Sequence, residues 1–456
     1  MKELQMCVGI DLARRSEHKA VVVRRDGSAP KKAFAFSHDL DGFRSLCDYI
    51  GRQTGTGSVE GVTVNFEPTG GVWETLGLFL KKQGADVYFT RPDVVSQMRK
   101  VHSRFAKSDR IDAYALARIA FSFPDRLIPL VEIESRVRAL RSLSAQRRRI
   151  VDNTSQWKNR LTSKLEVVWA TMLAKLDKDQ RFCGLARAFF VKFVDPRSVT
   201  RYGRQRFYTW CGKTAHGNTD PQLFDTLWHG ACKVAALWKE LESSGAMHVD
   251  WETLGEMIKQ DLRMIESFEK EINLLDQRIR EARRQTPECD VVQQLPGFGN
   301  VVSVTVASTL MPVERFGNSK KCGAFTGYTS RQKASAGRQI DGLKITKTGN
   351  CRLKRDLALA ADRAMRCDPE LAAFAIRLLN AGKHYNKVRV AVGRKLAERA
   401  YSLLKRFARS ETHVRYIWRD LQGHSVTKKE AADIARKLWA DYNARKKQKG
   451  NPPTAA

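Results

Sequence analysis

The sequence lacks the features of membrane and secreted proteins. No apolar run approaches the roughly 18 uncharged residues that a membrane span needs. Charges interrupt the first twenty residues, which therefore predict no signal peptide. The nine cysteines include no CxxC pair, and their scattering excludes a cysteine zinc site or a disulfide framework. We expect a cytoplasmic protein of bacterial type, with no membrane partner.

Acidic residues are scarce relative to basic ones. The 456 residues include 81 Lys and Arg against 49 Asp and Glu, which gives a net charge of +32. Such an excess repels itself unless a polyanion offsets it, so we expect a nucleic-acid partner and association with the nucleoid. An anionic membrane surface or simple solubility would also explain the charge, but the basic residues spread over most of the chain and not over one amphipathic helix.

Short apolar runs near the N-terminus predict an α/β domain over residues 1–127. "MCVGIDLA", "HKAVVVRRDG" and "KKAFAFS" predict three strands, because they are rich in β-branched residues or alternate in polarity. Helices over residues 42–52, 72–82 and 109–121 then alternate with strands at "GVTVNFE" and "DVYFTR". This βββαβαβα order is typical of a ribonuclease H-like fold.

Long, charged helical sequence predicts a coiled-coil arm over residues 128–285. Its two helical stretches are residues 135–176 and 254–279, and the second has apolar residues at mixed spacings of three and four. Glycine, proline and aromatic residues interrupt this pattern, and they predict an insertion of shorter helices at about 179–250.

The remaining sequence predicts a mainly α domain over residues 286–425 and a basic tail over 426–456, which ends in the disordered "ARKKQKGNPPTAA". "QLPGFGNVVSVTVASTL" resembles a helix-hairpin-helix element, whose backbone amides hold a phosphate at a helix start. A glycine turn before any tightly packed helix would give the same pattern, so both interpretations stay open.

Four carboxylates are candidates for one site. Asp11 and Glu67 end two predicted strands, which would lie side by side if the strands are parallel neighbours. Asp109 and Asp112 are three apart on one face at the start of a predicted helix, so they repel each other unless an arginine or a metal lies between them.

Oxygen ligands of this kind suit one or two Mg²⁺ ions, which assist phosphodiester chemistry. The alternative for Asp109 and Asp112 is that they cap the helix and face water. The presence of Asp11 and Glu67 at strand ends favours the metal site.

The order Asp11, Glu67, Asp109, Asp112 resembles the DEDD domain of RuvC-like resolvases. The contexts "FEPTGGVWETL" and "KSDRIDAYALA" resemble the insertion-sequence one-ten class of transposases, and so does the downstream "LPGFGNVVSVTVAS" with "FGNSKKCGAFTGYTSRQKASAGRQIDGLKITKTGNCRLKRDLALAA". The resemblance covers residues 5–125 and 290–366. It implies a bridge-RNA-guided DNA recombinase with a RuvC-like domain.

The resemblance also implies a serine nucleophile, which falls on Ser335 in "KASAGR". Many family members have Ser-Ser-Gly-Gly there, whereas this chain has Ala-Ser-Ala-Gly. By the resemblance, Ser335 forms a covalent phosphoserine link to donor or target DNA, Mg²⁺ is the cofactor, and homodimers assemble into a homotetramer with a composite site. Without the family, Ser335 would be an ordinary loop serine.

Two groups of basic residues are candidate nucleic-acid contacts. One surrounds Ser335 and suits DNA phosphates near the break, and the other lies on the predicted arm and suits an RNA backbone. They are Arg331, Lys333, Arg338, Lys344, Lys347, Arg352 and Lys354 in the first group, and Arg147, Arg148 and Arg149 in the second.

Two alternatives to an RNA-guided serine recombinase stay open. One is a metal-only RuvC-like junction resolvase or nuclease, in which water attacks the phosphodiester and Ser335 is dispensable. The other is a non-catalytic RNA-binding scaffold, in which neither Ser335 nor the four acids are needed.

Overall fold

The computed structural model describes residues 4–102, 108–215, 220–243, 245, 249–329, 334–335, 338–339, 345–346, 349–409 and 414–448. The chain divides into two compact units, Met1–Glu134 and Ser135–Ala456. None of the described helices is both long and apolar enough to cross a bilayer.

The N-terminal unit is a mixed α/β domain, as the sequence predicts. Its elements are β1 (Met6–Asp11), β2 (His18–Arg24), β3 (Phe34–Phe36), α1 (Leu40–Thr54), β4 (Thr63–Phe66), α2 (Val72–Lys82), β5 (Asp86–Phe89), α3 (Pro92–His102), α4 (Asp109–Ser122) and β6 (Ile128–Pro129). The predicted order is confirmed, but α3 and β6 were not expected from the sequence.

One six-stranded sheet has the order β3-β2-β1-β4-β5-β6. β1 is parallel to β4, and β4 is parallel to β5, whereas the outer pairs are antiparallel. The predicted boundary at residue 127 is too early, because β6 pairs with β5 and extends the unit to Glu134.

Helices cover both faces of the sheet, which explains why the central strands are continuously apolar. On one face, Val8 and Ile10 of β1 join Val64 and Phe66 of β4 in a core with α1 and α2. On the other face, Cys7 packs with small residues of α4, namely Ala113, Ala117 and Ala120.

Gly9 allows α4 to lie directly on β1. A Cβ atom at Gly9 would lie 1.9 Å from the carbonyl oxygen of Ala113 and 2.6 Å from the amide nitrogen of Ala117. Any side chain at this position would therefore push the helix away from the sheet.

The second unit is mainly helical. Its elements are α5 (Ser135–Leu173), α6 (Lys178–Arg181), α7 (Gly184–Lys192), α8 (Pro196–Tyr202), α9 (Arg204–Thr214), α10 (Pro221–Ser243), α11 (Trp251–Arg284), α12 (Glu288–Gln293), α13 (Asn300–Leu310), α14 (Ser319–Phe325), β7 (Ala334–Ser335), β8 (Arg338–Gln339), α15 (Cys351–Cys367), α16 (Pro369–Asn380), α17 (Tyr385–Ala408) and α18 (Lys428–Gln448).

The two long helices α5 and α11 pack against each other in antiparallel orientation. Three ion pairs join them along their length, and the partner's residue number falls as that of α5 rises. These pairs are Arg147–Asp276 at 2.5 Å, Lys158–Glu269 at 2.8 Å and Lys164–Asp261 at 2.7 Å. The predicted pairing is confirmed, whereas supercoiling of the pair stays a prediction.

The helical insertion forms a core with one end of this pair. Trp169 of α5 is buried against Phe189 and Phe190 of α7, and Phe207 of α9 and Leu227 of α10 belong to the same apolar cluster. The insertion is therefore a packed helical subdomain, and α10 is longer than the short helices that the sequence predicts.

The predicted basic tail from residue 426 is wrong for residues 428–448, which form α18. Ala431, Ala435 and Trp439 recur every fourth residue and are buried, while the Lys and Arg residues occupy the other faces. The indole Nε1 of Trp439 donates a 2.7 Å hydrogen bond to the carbonyl oxygen of Met365. Residues 449–456, with most of the predicted disordered ending, lie outside the described residues.

We predict that Gly9→Ala destabilises the protein by about 3 kcal/mol, because overpacking here displaces backbone atoms and not a flexible side chain. Denaturant unfolding measures the change. Gly71→Ala is the matched control, because a Cβ at Gly71 meets no heavy atom within 4 Å. Equal stability of the two variants would contradict the close contact of α4 with β1.

Candidate active site

Asp11 and Glu67 lie at matching ends of two adjacent parallel strands. Ile10 is in register with Phe66, so the next residues along the chain, Asp11 and Glu67, occupy the same level of the sheet. Both are half-buried. The predicted adjacency of the two acids requires parallel neighbouring strands at this point, and β1 and β4 meet that requirement.

Strand alternation assigns Asp11, the last residue of β1, to the α4 face of the sheet, and Glu67 directly follows β4. Successive side chains of a strand point to opposite faces, and Ile10 and Phe66 belong to the core on the α1 and α2 face. Gly9 contacts α4, and the side-chain amide of Asn65 donates a 2.8 Å hydrogen bond to the Leu116 carbonyl of α4. Asp11 and Glu67 each come two residues after a residue that contacts α4, namely Gly9 and Asn65.

Asp109 and Asp112 form the first turn of α4. Ser108 caps this helix, because its hydroxyl accepts a hydrogen bond from the Ile111 amide. Acids in a first turn are favoured by the helix dipole, so capping explains part of their presence. Asp109 is exposed and Asp112 is half-buried, next to the Ala113 that contacts Gly9.

An arginine lies on Asp112. Nη1 of Arg99 from α3 is 3.2 Å and 3.3 Å from the two carboxylate oxygens of Asp112, and the Asp112 side chain is only 13% exposed. The sequence left open whether an arginine or a metal lies between Asp109 and Asp112. In this structure an arginine, Arg99, pairs with Asp112.

The four acids do not gather around a single point in this arrangement. Among the residues that the structure describes, no group of three or more His, Cys, Asp or Glu side chains could hold a metal ion. Asp11 and Glu67 are brought to one level of the sheet, while Asp112 is bound by Arg99. The predicted Mg²⁺ site with these four ligands therefore stays a prediction.

Sequence reasoning missed two histidines that connect the segments around these acids. His18 is 1% exposed, and its Nδ1 accepts a 3.1 Å hydrogen bond from the amide of Ala13, two residues after Asp11. Its Nε2 is 2.9 Å from Nδ1 of His38, whose Nε2 is 2.8 Å from Oγ1 of Thr75 in α2.

Nδ1 of His18 accepts a hydrogen bond, and this fixes which nitrogens carry protons in the hydrogen-bonded series from Ala13 to Thr75. Nε2 of His18 must carry a proton and donate to His38 Nδ1, and Nε2 of His38 then donates to Thr75. The imidazole of His18 is therefore neutral when this hydrogen-bonded chain is intact. Burial, followed by the proximity of His38, lowers the pKa of His18. Adjacent His18 and Lys19 at the start of a strand give no sequence signal for this arrangement.

The segment after Glu67 contacts Arg14, a residue for which the sequence gives no signal. Gly70 has φ of +58°, and a Cβ there would lie 3.0 Å from Nε of Arg14. The guanidinium of Arg14 thus lies against the "EPTGG" turn, which connects β4 to α2. Glycine favours both this backbone conformation and the close contact with Arg14.

Ser335 lies in a short hairpin of the second unit. Residues Ala334–Ser335 form β7, which is antiparallel to β8, and Ser335 is in register with Arg338. Ala336 and Gly337, where the chain departs from the family pattern, lie outside the described residues, and so do Arg331, Lys333, Lys344 and Lys347.

The candidate RNA contacts on α5 are partly engaged within the protein. Arg147 binds both carboxylate oxygens of Asp276, and Arg148 binds Asp152 one turn along α5. Arg149 is exposed. A phosphate would compete with carboxylates for Arg147 and Arg148, so only Arg149 retains the geometry expected of a simple backbone contact.

The two candidate DNA contacts at the start of α15 are described. Asn350 caps this helix, and Arg352 and Lys354 follow in its first turn, which contains no acidic residue. Cations at a helix start oppose the helix dipole, and an anionic ligand would offset that cost.

The Pro-Gly-x-Gly turn combines features of both open interpretations. It joins α12 to α13 as a helix–turn–helix unit, which the phosphate-binding interpretation requires. Gly297 has φ of +79°, and a Cβ there would lie 2.2 Å from the carbonyl oxygen of Ala360 in α15. Tight packing therefore explains Gly297 by itself, and phosphate binding at this turn stays a prediction.

Comparison with known proteins relates both units to transposases. The family model for the DEDD transposase of IS110 matches residues 8–170, and the model described as transposase IS116/IS110/IS902 family matches residues 289–375. Together the two ranges cover more than half of the 456 residues.

One curated relative is the transposase for insertion sequence element IS1111A from Coxiella burnetii (strain RSA 493 / Nine Mile phase I). It is 25% identical over 134 residues, which cover 29% of this chain and 36% of that protein. The match thus spans little more than a third of the relative's length.

We predict that acidification below about pH 6.5 destabilises the protein through His18. The pKa of His18 is lower in the folded protein than in the unfolded chain. Below about pH 6.5 the unfolded chain therefore binds more protons, and the free energy of unfolding decreases as the pH decreases. Denaturant unfolding over a pH series measures the slope. His18→Gln should flatten it, whereas His229→Gln, at an exposed position of α10, should not. An unchanged slope in His18→Gln would contradict the assigned neutral chain.

Proposed function

Because this chain belongs to the IS110 family of transposases, we propose that it cuts and rejoins DNA as the transposase of an insertion sequence. The observation that supports this most strongly is the register of Ile10 with Phe66, because Asp11 and Glu67 directly follow these residues at matching ends of adjacent parallel strands. Both acids fall within the range matched by the DEDD model, and Ser335 falls within the range matched by the second model.

In this proposal Asp11, Glu67, Asp109 and Asp112 bind Mg²⁺ in a RuvC-like domain. The donor chemistry fits, because all four ligands are carboxylates and hard divalent cations prefer oxygen. A bound divalent cation would stabilise negative charge on the attacking and leaving oxygens of a phosphodiester. Arg99 would compete with the cation for Asp112, since Nη1 of Arg99 now contacts both of its carboxylate oxygens.

We assign Ser335 as the nucleophile. Its Oγ forms a bond to the scissile phosphorus, the bond from phosphorus to the leaving sugar oxygen breaks, and the proton from Oγ passes to a base. The leaving oxygen takes up a proton. Reversal of this step with the exchanged strand restores a phosphodiester and frees Ser335, so no external energy source is needed for rejoining.

The basic residues near Ser335 would position DNA without reading its sequence. Arg338 is the register partner of Ser335, and Arg352 and Lys354 belong to the first turn of α15. A DNA phosphate at that turn would offset the unfavourable interaction of these cations with the helix dipole. This supports placing the DNA backbone near the start of α15.

Target choice by a bridge RNA, and assembly of homodimers into a homotetramer with a composite site, complete the proposal. Their support is the family resemblance alone. The coiled-coil character of the α5–α11 pair and the helix-hairpin-helix role of α12 and α13 belong to the same proposal.

We predict that Ser335→Ala abolishes a covalent protein–DNA adduct that the wild-type protein forms with its element-end DNA, bridge RNA and Mg²⁺. Denaturing gels with labelled DNA detect the adduct. Ser330→Ala, in the same segment, is the matched control and should retain it. Asp11→Asn should also abolish the adduct, whereas Asp48→Asn, at an exposed position of α1, should not.

Other outcomes would identify the alternatives. Strand cleavage that persists in Ser335→Ala but is lost in Asp11→Asn would indicate a metal-only nuclease or resolvase. Transposition that persists in both variants would indicate a non-catalytic RNA-binding scaffold. Either result would contradict the proposed nucleophile.

We predict that Arg99→Gln increases the affinity for divalent cations by about two- to fivefold, because a partly buried ion pair that water still reaches competes for Asp112 with modest strength. Mn²⁺ titration followed by electron paramagnetic resonance measures binding without any reaction. Arg91→Gln is the matched control, since Arg91, which directly precedes α3, pairs with Asp93 of that helix and not with one of the four acids. An unchanged or lower affinity in Arg99→Gln would contradict competition between Arg99 and the cation at Asp112.

A further inference from the structure

A basic groove lies in the second unit where α11, α5 and α13 meet. It encloses about 490 Å³, and its charged lining residues are four arginines and one aspartate, namely Arg147, Arg280, Arg283, Arg284 and Asp276. We call it the α11–α13 groove. Its position is separate from Ser335 in sequence, and the proposed chemistry does not use it.

Two of the four arginines hold the walls of the groove together. Arg147 of α5 satisfies both oxygens of Asp276 on α11, at 2.5 Å and 3.1 Å. Arg283 of α11 donates to Asp290 and Gln293 of α12 and, at 3.0 Å, to the side-chain oxygen of Asn300 at the start of α13. Asp276, the only acidic residue that lines the groove, is thus paired with Arg147. The contacts of both arginines also orient the three helices.

The other two arginines are left for a ligand. Arg280 and Arg284 are exposed, lie one turn apart on α11 and make no ion pair within the described part of the chain. Like charges at this spacing repel each other. The four-residue step from Arg280 to Arg284 separates their Cα atoms by about 6 Å along the helix axis. An anion with two charged groups would therefore bind both residues better than a single small anion.

The opposite wall adds an uncapped helix start. Asn300 and Val301 begin α13, Gly299 precedes them, and no side chain caps this helix. The side-chain oxygen of Asn300 is already bound by Gln293 and Arg283, so it does not turn back to cap its own helix. Val301 is 46% exposed at the same wall and offers an apolar surface beside the charges.

We propose that the α11–α13 groove binds a nucleic-acid backbone, with Arg280 and Arg284 on two phosphates of one strand. Repeated phosphates satisfy both arginines, and the sugars between them are compatible with the exposed Val301. The assignment of the polyanion as nucleic acid rests on the proposed function. The groove itself rests on the arrangement of the arginines and is independent of Ser335 and the four acids.

The test compares Arg280→Gln/Arg284→Gln with the control Lys270→Gln/Arg278→Gln, which removes the same charge from exposed positions of α11 outside the groove. Fluorescence anisotropy measures the affinity of each full-length variant for a labelled single-stranded RNA and a labelled duplex DNA over a salt series. Circular dichroism verifies that the variants are folded. Arg280→Lys/Arg284→Lys retains the charge and should retain binding.

We expect the groove variant to bind about tenfold more weakly and its salt slope to fall by about 1.4–1.8, since each phosphate contact contributes about 0.7–0.9. The control should lose less affinity, because it lowers only the overall positive charge of the protein. A selective loss for RNA or for DNA would support the groove and identify its ligand. Equal behaviour of the groove variant and the control with both probes would overturn the proposal.

The same experiment separates this proposal from the proposed function. Loss of binding in the groove variant, together with a wild-type protein that forms no covalent DNA adduct, would support the groove and contradict the recombinase. Adduct formation by the wild type, with unchanged binding by the groove variant, would support the recombinase and overturn the groove.

Discussion

Contact between the backbone of α4 and Gly9 of β1 is the constraint on which the N-terminal unit depends. It requires a residue without a side chain on the strand and small residues on the helix, and this chain has Gly9 opposite Ala113 and Ala117. The consequence reaches the candidate site. α4 begins with Asp109 and Asp112, and β1 ends with Asp11, so close packing of the helix on the strand relates acids that are about a hundred residues apart in sequence.

In the second unit, another glycine allows close contact with a helix backbone. Gly297 lets the turn between α12 and α13 approach the carbonyl of Ala360, and its positive φ excludes most other residues. In both units a glycine therefore replaces side-chain packing by direct contact with a helix backbone.

Arginine has two different roles in this strongly basic protein. Some arginines bind carboxylates between helices, as Arg147 binds Asp276, and these contribute to the fold more than to the surface charge. Others, such as Arg280 and Arg284, remain exposed and produce the positive field that favours a polyanionic partner. Net charge alone does not separate the two roles, because it counts both alike.

Local sequence patterns determined the main elements. Apolar runs predicted the first five strands, helical periodicity predicted the arm, and the order of Asp11, Glu67, Asp109 and Asp112 indicated the candidate site, because these signals depend on neighbours in the chain. The tail prediction failed over α18, since the buried face of that helix consists of two alanines and Trp439 and the local sequence is mostly charged.

Tertiary structure decided which side chains meet. It determined that Asp112 binds Arg99, that His18 and His38 connect the segment after Asp11 to α2, and that Arg147 pairs with Asp276. The spacing of residues along the sequence does not indicate any of these contacts. Each contact joins residues on different elements, and packing determines the relative position of those elements. Sequence alone therefore determined the types of residue and their order, whereas packing of helices on the sheet and on each other determined their partners.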